Sequence, residues 1–155
     1  MRSMVTTTLV LLMMAGGAQA QVQNREKLAP APTDRSVPIT KEQLAQFLKD
    51  VNVKDMTELR ILEGGKFNVN IRRVTTDDRA LVHPTTADLW IVLQGAGMLT
   101  TGGRIEGGKI VGGKSHQIGV GDIEFIPASV AHAVTAVDGA FVWMNIRWDT
   151  DWAAR

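Results

Sequence analysis

The sequence predicts an all-β sandwich or barrel carrying one helix at its N-terminal side. Three observations lead there. Many short stretches favour strands, some of them alternating apolar and polar residues. Glycines separate them at close intervals, from Gly95 through Gly139. Helical spacing of apolar residues is clear only before residue 52.

The elements follow in chain order. Residues 1–20 read as a secretory signal peptide. Met1-Arg2-Ser3 is a basic start, Val5 to Ala15 is mostly apolar, and Ala18-Gln19-Ala20 is a small-x-small cleavage site. The apolar run is shorter than the ~20 residues a spanning helix needs. The mature chain is expected to begin at Gln21, in the periplasm or outside the cell. Residues 21–38 carry Pro30, Pro32 and Pro38 and read as a disordered or extended leader. A single domain is expected over residues 39–155, opening with a helix at about 41–51. Thr40 can cap that helix, with Gln43 completing a capping box. Leu44, Phe47, Leu48 and Val51 form its apolar face, expected to pack on the outside of the sheet. "KFNVNIRRV" then alternates, with Phe67, Val69 and Ile71 on one face and Asn68, Asn70 and Arg72 on the other. "DLWIVLQ", "GMLTT", "KIVGG", "HQIGV", "DIEFI", "HAVTAV" and "AFVWMNIRW" supply the remaining strands.

Composition excludes several functions. The chain has 17 basic and 16 acidic residues. Losing residues 1–20 removes only Arg2, which leaves 16 of each. A neutral chain offers no basic face for nucleic acid or for an anionic membrane. There is no cysteine, so no disulfide and no thiolate metal site can form. There is no tyrosine to act as an acid or base. The Gly-Gly pairs lack the pattern of a phosphate loop. Ser129 and His132 lack the acid and the nucleophile turn of a serine hydrolase.

Two stretches carry chemistry. "LVHPTTADLWIVLQG" places His83 five residues before Asp88 and Asp88 seven before Gly95. "GDIEFIPASVAHAVTA" sets out Gly121, Pro127, Ser129, His132 and Ala136. In these residues the chain resembles the cupins, small jelly-roll barrels. Their first motif has two histidines, a carboxylate and a glycine; their second has glycine, proline, glycine, histidine and asparagine. The resemblance covers roughly residues 60–148, and the first motif is most similar to the germin type. His83 matches the second histidine, Asp88 the carboxylate, and Gly95 the glycine. Leu81 stands where the first histidine belongs, and Asp88 replaces the usual glutamate. In the second motif Gly121, Pro127 and His132 match, while Ser129 replaces glycine and Ala136 replaces asparagine.

The resemblance implies a cupin-type jelly roll holding a divalent ion (manganese, iron or zinc) on His83, Asp88 and His132. Two histidines and one carboxylate leave open positions on such an ion for a ligand oxygen. Asp88, or water on the ion, would carry proton transfers. Parity along the strand puts Trp90 on the face of Asp88, where it would wall a pocket for a small organic molecule. Arg147 either holds a substrate carboxylate there or forms a surface salt bridge. His116 reads as a solvated strand residue and Glu124 as a rim carboxylate. Oxygenase, isomerase and lyase chemistry all stay open. The other reading is a non-catalytic binding module that has lost its metal. A homodimer is implied by the resemblance alone.

Overall fold

The structure is a computed structural model that describes residues 25–28 and 30–151. The expected signal peptide and Trp152 lie outside the described residues. No helix among the described residues is long and apolar enough to cross a membrane.

A short strand, β1 (Arg25–Lys27), precedes helix α1 (Lys41–Val53). Ten strands follow: β2 (Glu58–Glu63), β3 (Phe67–Val74), β4 (Thr86–Gln94), β5 (Ala96–Thr101), β6 (Arg104–Glu106), β7 (Lys109–Val111), β8 (Lys114–Gly119), β9 (Ile123–Ile126), β10 (His132–Thr135) and β11 (Phe141–Asp149). They form a six-stranded sheet in the order β1-β2-β3-β11-β4-β9, a three-stranded sheet β10-β5-β8, and the hairpin β6-β7. This is the all-β jelly-roll arrangement that the sequence predicts.

The period-two pattern explains how the large sheet is used. On one face Val74, Trp90, Val92, Ile126, Phe141 and Trp143 meet Leu99, Ile118 and Val134 of the smaller sheet. That interface is the core. On the other face Leu59, Ile61, Ile71 and Val142 pack with Val51, Leu44, Phe47 and Leu48 of α1. The helix starts as its sequence dictates: Thr40 Oγ1 accepts from Gln43 N at 3.2 Å, and Gln43 Oε1 accepts from Thr40 N at 2.9 Å. The leader is not wholly free of structure, because β1 pairs in parallel with β2. Its three side chains are all exposed, so no apolar pattern marks it as a strand.

Arg72, Asn145 and Arg147 share the inward face with the core residues, so that face is not purely apolar. Arg72 bonds Glu58 at 3.1 Å, approaches Asp78 at 3.5 Å, and lies over the Trp143 ring at 5.6 Å. Pairing of this kind keeps a buried guanidinium from being an uncompensated charge.

Gly95, which ends the first motif, turns the chain from β4 into β5. Its φ is +74°, and a Cβ there would stand 2.2 Å from the Ala140 carbonyl oxygen. Gly95→Ala therefore meets both left-handed strain and a backbone clash. It is expected to cost about 2 kcal/mol in urea unfolding.

Candidate metal centre

Asp88 lies on β4, directly opposite Arg147 of β11 on one side and Ile126 of β9 on the other. Its side chain is 1% exposed. It shares strand parity with Trp90 and Val92, both in the core, so it points between the sheets. His132 opens β10 and is also buried. His83 sits on the segment before β4, which the second motif holds in place. Ser129 N donates to His83 O at 2.7 Å, and Ser129 Oγ donates to Pro84 O at 3.0 Å. Ser129 has φ 66°, the left-handed conformation that favours the family's glycine at this position. Its hydroxyl bond to Pro84 is one that glycine could not make.

These three side chains converge. One ligand atom from each of His83, Asp88 and His132 lies within 4.8 Å of the others. Asp88 Oδ2 is 3.7 Å from His83 Nε2 and 3.6 Å from His132 Nε2. Those gaps are too long for hydrogen bonds. All three atoms are buried without a hydrogen-bond partner. The opposite atom is anchored in two of them. His132 Nδ1 lies 3.1 Å from Val130 O, a pairing in which the ring nitrogen donates and Nε2 keeps its lone pair. Asp88 Oδ1 accepts from Arg147 Nε at 2.9 Å.

Leaving a buried polar atom unpaired costs roughly 1–3 kcal/mol. Three such atoms facing one another are an unsatisfied donor set of the kind a cation satisfies. Ligand atoms at ~2.1 Å from a common ion stand about 3.0–3.5 Å apart. The Asp88–histidine separations exceed that by only a few tenths of an ångström. The residues present fit a divalent ion.

Burial, reinforced at His83 by the Arg147 charge, holds the His83 imidazole below the ordinary histidine value of 6.5. Burial likewise lowers His132, against the opposing bond to Val130. Both rings are thus neutral near pH 7, the form that binds metal. Below about pH 6.5 the unfolded chain takes up protons that the folded rings resist. The metal-free protein is therefore expected to lose melting temperature as pH falls from 6.5 toward 5. Metal affinity should fall over the same interval. A melting temperature flat from pH 8 to pH 5 would contradict the burial argument.

The other expected residues fall as follows. Arg147 forms a salt bridge, but with the site's own carboxylate rather than at the surface. It also lines a cavity of about 220 Å³ beside the ligands, shared with Lys66, Asn68, His83, Thr86 and Trp148. Trp90 is not among the residues that line that cavity. It is 3% exposed, meets His132 edge-on at 5.6 Å, and packs on Trp143 at 4.8 Å. Asp88 has one oxygen held by Arg147 and turns the other toward the donor set. His116 is half exposed and pairs with Glu124 at 3.3 Å, away from the centre.

This combination defines a class: a jelly-roll protein with a buried His/Asp/His donor set between its sheets. No family model matches the chain, and no curated protein matches it by sequence. Solved structures do. The crystal structure of a Bacillus halodurans protein aligns with a TM-score of 0.52 at 17% identity, covering 60% of this chain and 70% of that one. The cupin domain of Schizosaccharomyces pombe Cnp3 aligns with a TM-score of 0.50 at 7% identity, covering 59% and 63%. A Klebsiella pneumoniae protein with a double-stranded β-helix domain aligns at 0.47 with 20% identity, covering 59% and 75%. The chain thus has a jelly-roll fold of the cupin type.

Proposed function

We propose that this chain is an exported cupin that binds manganese, iron or zinc and acts on a small organic molecule in the adjoining cavity. One observation carries the reading. His83 Nε2, Asp88 Oδ2 and His132 Nε2 are buried, unpartnered and turned toward one another. When bound, a divalent ion supplies Lewis acidity toward a ligand oxygen. The chain's own residues do the rest. The Val130 carbonyl fixes the His132 tautomer. Arg147 fixes Asp88. The clamp from Ser129 fixes the backbone at His83. Trp90 packs edge-on against the His132 ring.

The test is a metal titration of chelator-treated protein, read as melting temperature. An ion that binds the folded chain alone at 100 times its Kd stabilises by about 2.7 kcal/mol. Manganese, iron or zinc should raise the midpoint of the wild type and leave that of His132→Ala unmoved. No shift with any of the three would remove the metal from the account.

A second reading keeps the pocket without catalysis. It is favoured by Leu81, an apolar residue where a fourth ligand is usual. Export rests on the composition of residues 1–20. A homodimer is supported by the family resemblance and by the exposed apolar side chains Ile123 and Phe125 on the edge strand β9. Light scattering giving the mass of one chain would count against it.

A further inference from the structure

We propose that the turn between β2 and β3 is a gate to the donor set. It flexes at Gly65 and is latched by Lys66 on Asp151. The inference rests on the metal reading above and concerns the control of access to that site.

The cavity wall is the first reason. Residues 63–68 line the cavity of about 220 Å³, together with His83, Thr86 and residues 147–149. Six consecutive residues of one hairpin thus supply a large share of the wall. His132 does not line the cavity, yet its ligand atom lies within 4.8 Å of that of His83. A reagent or ion entering through the cavity meets His83 first and His132 behind it.

The glycines are the second reason. Gly64 has a packing cause, since a Cβ there would stand 2.2 Å from Cε1 of Phe67. Gly65 has none. A Cβ there would meet nothing within 4 Å, and its φ lies outside the left-handed region that favours glycine. What glycine adds at such a position is backbone freedom.

The latch is the third reason. Lys66 Nζ is held by both oxygens of Asp151, at 2.9 and 2.8 Å. The two side chains are 54% and 58% exposed. Asp149 N also donates to Lys66 O at 2.9 Å. Both contacts join the turn to the end of β11, so release of the ion pair leaves one backbone bond to hold it there. The base of the turn is fixed differently, because Glu63 pairs with Lys27 of β1 and Arg60 of β2. Exposed ion pairs are weak and are screened by salt. A weak latch beside an unconstrained glycine opens and recloses readily.

The experiment is carbethoxylation of the purified protein by diethylpyrocarbonate at neutral pH, with the rate at each histidine read by peptide mass spectrometry. Chelator-treated protein is used, as wild type, Gly65→Ala and Asp151→Asn. Rates at His132 are taken relative to His116, which is half exposed and pairs with Glu124 away from the centre. His132 is expected to react about two- to five-fold more slowly in Gly65→Ala and about two- to five-fold faster in Asp151→Asn. Raising salt from about 0.05 M to about 0.5 M should speed His132 in the wild type and not in Asp151→Asn. A His132 rate that ignores both substitutions, a wild-type rate that ignores salt, or a salt effect that persists in Asp151→Asn would overturn the gate. The wild-type salt response decides the question even if a variant fails to fold. Zinc-loaded wild type is run alongside. Zinc that leaves His132 unprotected defeats the metal reading separately, because the gate is read on protein without metal.

Discussion

Asp88→Ala is expected to damage both stability and metal binding, and more severely than any other single change at the site. Asp88 is 1% exposed and accepts from Arg147 Nε at 2.9 Å. Its removal leaves a largely buried guanidinium without its counter-charge. Breaking one side of a buried ion pair costs about 3–5 kcal/mol. The cavity left by the carboxylate adds to this, and water reaching Arg147 from the neighbouring pocket subtracts from it. Urea unfolding of chelator-treated protein measures the stability part without any contribution from metal. The same variant should retain no stoichiometric ion, because Oδ2 is the only anionic atom of the donor set. A loss under about 1 kcal/mol would mean that the Asp88–Arg147 pair is solvated, contrary to its burial.

Leu81→His is expected to strengthen metal binding by about 100-fold, or ~2.7 kcal/mol. Two independent parity arguments place this side chain at the centre. Leu81 exchanges both backbone hydrogen bonds with His132, each at 2.9 Å, as an antiparallel bridge. Residues directly opposed in such a pair project to the same face. Leu81 also precedes His83 by two residues, which in extended chain puts both on one side. The fourth ligand missing from the first motif is therefore absent by residue type and not by backbone position. Calorimetric zinc titration of wild type and variant checks the gain. Unchanged affinity would show that the Leu81 side chain is turned away from the donor set.

Much of this was readable in the sequence, for definite reasons. The capping box of Thr40 and Gln43 is local chemistry, and local chemistry needs no tertiary information. Period-two alternation told which face Asp88 shares with Trp90 and Val92, because side chains on a strand have no other choice. Gly95 and Gly121 marked turns, and both have positive φ. What escaped depended on register. The bond from Arg147 to Asp88 follows from β11 lying beside β4 with these residues opposed, which no spacing within either strand reveals. Parity put Trp90 on the inner face, but its edge-on contact with His132 depends on how two strands of different sheets face each other. The Ser129 clamp on His83 joins two motifs about 46 residues apart through a left-handed serine. Strand β1 has three exposed residues and hence no pattern to read.

Elemental analysis shows whether His83, Asp88 and His132 hold a metal ion. The protein is purified without chelator or affinity tag, as wild type and as His132→Ala, and each is assayed for manganese, iron, zinc and nickel per chain. A metal site on these three residues gives close to one ion per wild-type chain and almost none in the variant. Wild-type protein that stays metal-free after each of these ions is supplied, or a His132→Ala variant that holds as much metal as the wild type, would contradict it.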